Sequence, residues 1–367
     1  MCDTHSRFPM EIDVSEILSL PELEEHARRC MSHMAYEFVA SGAADEISLR
    51  WNREAYDRIP LRPLVLRDVA TIDTRVSLFG REHPFPILLA PVAFQRAIHL
   101  EGEIATARGA GAANATWIVS TATTTPLEDI ARVATAPLWF QLYLQPDRAY
   151  TRDLVHHAEA VGCEALCLTV DTPVLGARNR QTRAKFALGP GVTTPHLEPI
   201  GKERAIMNPV RVVPTWKDVD WLRSIARVPL ALKGILTGED AERGLEAGAQ
   251  GIIVSNHGAR NLDTAPATLD VLPEIAERVA GRAPVLVDGG IRRGTDILKA
   301  IAFGASAVLI GRPYCYGLSI YGAAGVQRVV EILRQELEMA MMLTGRPAIA
   351  DIDRSVLLLT SGPAHAE

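Results

Sequence analysis

The sequence predicts an α/β fold, specifically a (β/α)8 TIM barrel with accessory helices before and after it. A short apolar run ending in a polar or glycine-containing tip recurs eight times, as parallel strands buried on both faces do. Segments with helical spacing lie between most of these runs. No Gly-x-Gly-x-x-Gly turn follows the first run, which disfavours the doubly wound open sheet, the other architecture of alternating units. One barrel accommodates all 367 residues, so 1–367 reads as a single domain.

The accessory N-terminal helices fall within about residues 15–60, where "SLPELEEHARRCMSHMAYEFVASG" has helical apolar spacing. The barrel occupies about 86–325. Its eight runs are "PILLAP" from Pro86, "TWIVST" from Thr116, "LWFQLY" from Leu138, "ALCLTVD" from Ala165, "PLALKG" from Pro229, "GIIVSNHG" from Gly251, "PVLVDGG" from Pro284 and "SAVLIGR" from Ser306. Among the intervening segments, "GEIATARGAGAAN", "DRAYTRDLVHHAEAVG", "GEDAERGLEAG" and "GTDILKAIAFG" each end at a glycine or asparagine, as helices commonly do. The fourth and fifth strands stand unusually far apart. The proline- and glycine-rich stretch at about 187–215 between them predicts a flap over the barrel mouth, followed by a helix at "WKDVDWLRSIA". A long amphipathic helix, about 325–345, closes the chain at "GVQRVVEILRQELEMAMMLTG".

Composition narrows the function. A hydrophobic content of 48% fits a large core, and a formal charge of −6 argues against a nucleic-acid surface. No apolar run approaches bilayer length, and "MCDTHSRFPMEID" lacks the features of a signal peptide, so a cytoplasmic protein without membrane contact is expected. The five cysteines are scattered and odd in number, which tells against a disulfide framework. Cys163 and Cys167 read as core thiols rather than a metal pair, and no metal is expected.

In a barrel the chemistry sits at the C-terminal ends of the strands. There the sequence places Ser120, Gln141, Tyr143, Thr169, Asp171, Lys233, His257 and Asp288. After the seventh and eighth strands, "DGGIRRGTDILKA" and "IGRP" offer Gly289, Gly290 and Gly294, a helix starting near Thr295, and the cations Arg292 and Arg312. Bare amides at a helix N-terminus favour a phosphate, and these two loops are the usual barrel phosphate site. The alternative is two arginines on a solvated rim. If the phosphate belongs to flavin mononucleotide (FMN), Ser120, Gln141 and Thr169 can bond the ring's polar edge. Lys233 can then place a cation beside the reduced ring. Burial of this lysine without a partner would be costly.

Taken together, "YEFVASGAADE", "APVAFQ", "FQLY", "LTVDTPVLGARNR", "LKG", "SNHGARNLD", "DGGIRRGTD" and "IGRP" resemble, over nearly the whole chain, the FMN-dependent 2-hydroxy-acid oxidases and dehydrogenases. That group contains glycolate oxidase, lactate oxidase and mandelate dehydrogenase. The resemblance implies His257 as catalytic base, Asp171 as its carboxylate partner and Tyr143 as donor to the substrate oxygen. It implies Arg178 and Arg260 as ligands of the substrate carboxylate. Pro91, Val92 and Ala93 would run past the flavin edge, with Ser120, Gln141, Thr169, Lys233 and Ser255 around the ring. Asp288, Gly289, Gly290, Arg292, Gly311 and Arg312 would hold the ribityl phosphate. A homo-oligomer, tetrameric as relatives often are, is also implied. These roles suit the chemistry: a histidine has the right basicity for the proton, and arginines bind carboxylates bidentately.

Two positions depart from the glycolate-oxidase pattern. Phe38 stands where many members have a tyrosine, and Ala122 where glycolate oxidase has a tryptophan; Tyr36 lies near enough to take over part of the lost role. The pocket is expected to have lost a hydroxyl and gained room. The expected enzyme is then an (S)-2-hydroxy-acid oxidase favouring bulky or aryl, mandelate-like substrates over glycolate. The 187–215 stretch carries Lys202, Glu203, Arg204 and Arg211 in place of an apolar anchor. This favours a soluble enzyme that passes electrons to dioxygen and releases hydrogen peroxide. A dehydrogenase with another acceptor and a small-chain glycolate or lactate oxidase are the alternatives.

Overall fold

The computed structural model describes residues 13–197 and 212–359. Eight parallel strands close into a barrel: β3 (Ile87–Leu89), β4 (Trp117–Ser120), β5 (Leu138–Leu142), β6 (Leu166–Thr169), β7 (Leu230–Ile235), β8 (Gly251–Val254), β9 (Val285–Asp288) and β10 (Ala307–Ile310), with β10 pairing β3. Every run read from the sequence coincides with one of these strands, β7 extending one residue past its run to Ile235. Side chains alternate between two cores. Leu88, Ile118, Trp139, Cys167, Ala231, Ile253, Leu286 and Leu309 fill the barrel interior, while their neighbours pack against the outer helices. Cys163 and Cys167 therefore belong to different cores.

The helices expected between strands form at Gly102–Ala112 (α4), Arg148–Ala160 (α6), Gly238–Glu246 (α9) and Gly294–Ala302 (α11). Each gives way to a left-handed residue, at Asn114 (φ 55°), Gly162 (φ 96°), Gly248 (φ 88°) and Gly304 (φ 101°) respectively. The remaining helices between strands are α5 (Leu127–Val133), α7 (Asn179–Arg183), α8 (Trp216–Ile225) and α10 (Thr268–Val279). Residues 198–211 of the expected flap, with Lys202, Glu203, Arg204 and Arg211, lie outside the described residues.

Three features differ from the sequence reading. The N-terminal helical stretch is two helices, α1 (Leu20–Cys30) and α2 (His33–Ala40), because Ser32 caps the second by accepting from the Ala35 amide at 3.2 Å; α3 (Ile47–Asp57) follows. The last helix starts directly after β10, running from Arg312 to Thr344 (α12) with a break at Gly322. Finally, a hairpin, β1 (Val76–Leu78) with β2 (Arg81–His83), precedes the barrel. Its turn residue Phe79 packs on Trp139 at 5.1 Å, and a Cβ at Gly251 would lie 2.7 Å from the Phe79 ring. The glycine that opens β8 thus admits the aromatic plug. Among the described residues no helix is long and apolar enough to cross a membrane.

Candidate active site

The C-terminal ends of the barrel strands surround one cavity with about 1250 Å³ of empty space, open solvent at its mouth included. It is lined by Phe38, Pro91, Val92, Ala93, Ser120, Gln141, Tyr143, Thr169, Arg178, Lys233, His257, Arg260, Asp288, Gly289, Gly290, Arg292, Gly311 and Arg312. Two further expected residues support it from behind. Asp171 Oδ1 bonds His257 Nδ1 at 2.9 Å, and Ser255 Oγ accepts from Lys233 Nζ at 2.7 Å. Ala122 is wholly enclosed and does not line the cavity; its carbonyl accepts from the Phe94 amide. Tyr36 also lies off the cavity, stacked at 6.2 Å on Tyr316.

His257 sits on a backbone that few sequences tolerate. His257, Gly258 and Ala259 have φ values of 58°, 61° and 59°, a left-handed run directly after β8. A Cβ at Gly258 would stand 2.9 Å from the Arg312 guanidinium. Burial pushes the imidazole pKa down against the pull of Asp171, which leaves a neutral ring able to accept a proton. Asp171 is pushed up by its own burial, but the His257 charge and hydrogen bond outweigh this and hold the carboxyl below its ordinary range. The carboxylate is seated by a bulge: β7 shifts register between Lys233 and Ile235, and Gly234 (φ +112°) has no Cβ where one would fall 2.5 Å from Asp171 Cβ. Burial also raises the Tyr143 pKa to about 12, with Asp171 adding to the effect, so its hydroxyl stays a neutral donor.

Positive charge dominates the rest of the mouth. Arg178 donates to Arg260 O at 3.2 Å and Asn261 Oδ1 at 3.3 Å; Arg260 donates to Ser41 O at 2.8 Å and Gln181 Oε1 at 3.1 Å. Arg312 donates to the carbonyls of Val39 and Ser41, both at 3.0 Å. Among the described residues none of these three guanidiniums has a carboxylate partner. Burial, then mutual repulsion, drives the Arg260 pKa well below its ordinary range. Phe38 lies beneath Arg260, 5.5 Å from the guanidinium carbon, and stacks on Phe186 at 4.2 Å.

The rim after β9 and β10 is arranged differently from expectation. The start of α11 is closed by carboxylates: Asp296 accepts from the amides of Arg292 (2.8 Å) and Arg293 (3.0 Å), and Glu336 from that of Gly294 (2.8 Å). The helix end that borders the cavity is instead that of α12, with Gly311 before it and Arg312 as its first residue. Gly289 (φ +99°) and Gly290 (φ +79°) could not carry side chains, since a Cβ on Gly290 would fall 2.0 Å from Asn52 O.

The donor set fits FMN. Ser120 Oγ donates to Gln141 Oε1 (3.1 Å) and Gln141 Nε2 to Thr169 Oγ1 (3.0 Å), which aligns three polar groups across adjacent strand ends. Lys233 is buried and held cationic against that burial by Asp288 at 2.7 Å and by Asp171. Asp288 Oδ1 is buried without a protein partner, an acceptor left for a ligand donor.

Sequence reasoning missed Val39, Phe94, Leu175, Gln181 and Cys315 in the lining. Gln181 had a signal, three residues beyond Arg178 on a short helical stretch; the others read as ordinary core.

A barrel whose mouth gathers arginines without carboxylate partners among the described residues around a half-buried His–Asp pair defines a class: (β/α)8 enzymes with anionic ligands. The model of the FMN-dependent dehydrogenase family matches residues 27–359, and the chain belongs to this family. It is an FMN-dependent oxidoreductase. It is 47% identical to an L-lactate oxidase of Nostoc sp., covering 94% of this chain and 99% of that one. A 2-hydroxyacid oxidase of Dictyostelium discoideum is 44% identical, with 94% and 91% covered. A crystal structure of mandelate oxidase superposes with a TM-score of 0.87 at 42% identity, covering 93% of this chain and 98% of that one.

Proposed function

We propose that the protein oxidises an (S)-2-hydroxy acid to the 2-oxo acid, passes the electrons to dioxygen, and prefers a bulky or aryl side chain. The observation that carries this reading is the pair Arg178 and Arg260, half-buried, free of carboxylate partners among the described residues, and beside the His257–Asp171 pair. Buried cations need anions, and two guanidiniums suit a carboxylate. With the carboxylate so held, Tyr143 donates to the hydroxyl oxygen. His257 takes a proton from the hydroxylated carbon or its oxygen, and Asp171 stabilises the imidazolium. FMN supplies the two-electron acceptor, and the residues that would hold it are Ser120, Gln141, Thr169, Lys233 and Ser255 at the ring, with Asp288, Gly289, Gly290, Arg292, Gly311 and Arg312 toward the phosphate.

The aryl preference rests on Phe38, which lines the cavity within the aromatic group of Phe94 and Phe186. Ala122 adds nothing to it, being enclosed. Neighbours solved with (S)-mandelic acid point the same way. The lactate oxidase relative favours a second reading, a small-chain oxidase. An anaerobic panel of 2-hydroxy acids, both enantiomers, scored by flavin bleaching and repeated in air with peroxide detection, separates these readings. Glycolate turned over at a kcat/KM well above that for mandelate refutes the aryl preference. A flavin that substrate reduces but air does not reoxidise refutes the oxidase. Light scattering tests the tetramer that accompanies this reading.

A further inference from the structure

We infer that Asn261 is a positioning residue that fastens the His257–Asp171 pair to Arg178, so that one side chain sets both the basicity of the base and the aim of a carboxylate ligand. The inference rests on His257 being the base. Asn261 Nδ2 donates to Asp171 O at 2.8 Å and to Thr172 Oγ1 at 2.8 Å, with Asp171 Oδ1 at 3.4 Å. Its Oδ1 accepts from Arg178 Nη2 at 3.3 Å. An arginine can only donate and a carbonyl can only accept, so the amide has one workable orientation. The Thr172 hydroxyl donates to Asp171 Oδ1 at 2.9 Å and stands 3.3 Å from His257 Nδ1. Donors therefore run in one direction, from Asn261 to Thr172 to Asp171, where His257 also donates. Chains ordered in this way polarise one another.

The backbone is built for the contact. A Cβ at Gly176 would fall 2.2 Å from Asn261 O and 2.4 Å from Arg260 O. The loop after β6, carrying Asp171, Thr172 and Arg178, thus lies directly against the loop after β8, carrying His257, Arg260 and Asn261. Asn261 is the side chain that joins them through both its polar atoms.

Removing the donors leaves the Asp171 carboxylate less satisfied and more basic, which favours imidazolium and moves the acid limb of activity to higher pH. Removing the acceptor frees Arg178 and weakens carboxylate binding. The test measures anaerobic flavin reduction against pH and 2-hydroxy-acid concentration in the flavin-loaded protein, for Asn261→Leu, Asn261→Asp and Thr172→Val. The limb is expected to rise in all three, by about one pH unit in Asn261→Asp, where a second carboxylate adjoins Asp171. The apparent substrate dissociation constant is expected to rise about tenfold in Asn261→Leu, where Arg178 loses its acceptor, and in Asn261→Asp, where the new carboxylate pairs with Arg178 and competes with the ligand. It is expected to change much less in Thr172→Val, which leaves Arg178 untouched and reaches the ligand only through Tyr143. A merely structural residue would lower flavin content without this split. An acid limb that stays in place in Thr172→Val, or in either Asn261 variant that loads flavin, overturns the inference. His257→Gln is run alongside: if it is reduced at the parental rate, the reading of the base has failed instead.

Discussion

Gly234→Ala tests whether the β7 bulge positions the Asp171 carboxylate. At φ +112° an alanine is strained, costing of order 1–3 kcal/mol. Its Cβ would also stand 2.5 Å from Asp171 Cβ and 2.6 Å from Asp171 Cγ. Carbon contacts sit near 3.5–4.0 Å, so bulge and carboxylate must separate by roughly 1 Å. Such overpacking costs typically 1–3 kcal/mol more. With unfolding entropies near 2.1 cal/mol/K per residue, a loss of about 2–6 kcal/mol lowers Tm by roughly 3–8 °C in a chain this long. The same displacement stretches the His257–Asp171 bond from 2.9 Å to beyond hydrogen-bonding reach. Misplacement on that scale slows flavin reduction by about 10²-fold. Thermal unfolding and anaerobic stopped-flow bleaching read the two effects separately. A variant that loses stability but is reduced at the parental rate refutes the positioning role, and one with an unchanged Tm refutes the packing argument itself.

Other outcomes follow from the same geometry. Arg260→Met roughly keeps the volume of the side chain but removes a half-buried cation that lacks a carboxylate among the described residues; the ligand-free protein should melt at or above the parental temperature, while the KM for a 2-hydroxy acid rises at least tenfold. A lower Tm together with an unchanged KM would contradict both statements. Phe38→Tyr restores a hydroxyl to the cavity wall and should lower the ratio of mandelate to glycolate kcat/KM several-fold; an unchanged ratio removes Phe38 as a determinant. His196 accepts the Leu127 amide at 2.8 Å, and burial pushes its pKa down to about 4. A folded pKa below the unfolded value near 6.5 gives stability that is complete above about pH 6.5 and lost as pH falls toward 4, of order 3 kcal/mol in all. His196→Gln should flatten the decline in Tm between those pH values, and an equally steep decline would exclude His196 as its source.

The barrel was legible because its signals are local. Each strand is an apolar run bounded by turn residues, and the helices between strands stop where a glycine or asparagine can take a positive φ. The sites at the strand ends were legible for the same reason: position after a strand fixes which rim a side chain joins. What failed to show depends on packing between distant segments. Phe79 plugs the barrel only because Gly251, far along the chain, makes room for it. Ser32 splits the N-terminal helix by capping inside a continuous apolar pattern. The carboxylates that close α11 include Glu336, more than forty residues downstream. Ala122 was expected in the pocket wall only because glycolate oxidase has a tryptophan there; in this chain it is enclosed, with its carbonyl accepting from the Phe94 amide.

Charge explains why the mouth is built as it is. The chain carries a formal charge of −6, yet its cavity is cationic. Lys233 lies between the carboxylates of Asp288 and Asp171, the latter bonded to the neutral His257, and Arg292 faces Glu24 at 3.5 Å. That leaves Arg178, Arg260 and Arg312, three guanidiniums whose pKa values burial lowers, with only neutral acceptors bonded to them among the described residues. On the proposed reading the ligands bring a phosphate of roughly −2 and a carboxylate of −1, which matches the three unpartnered cations. The like-charge repulsion of the empty cavity is then a source of affinity, since each anion bound relieves it. It also sets an order. On that reading Arg312 would face the phosphate and Arg178 the carboxylate, while Arg260 is bonded to Ser41 O beside Arg312 and to Gln181 beside Arg178. Filling the rim first removes the repulsion that Arg312 exerts on Arg260, but it also leaves two cations rather than three to attract the carboxylate. The second anion therefore binds to a cavity of lower charge and relies more on the geometry that Gln181, Asn261 and Phe38 impose. Discrimination among carboxylates is accordingly assigned to those neutral side chains, and attraction to the arginines.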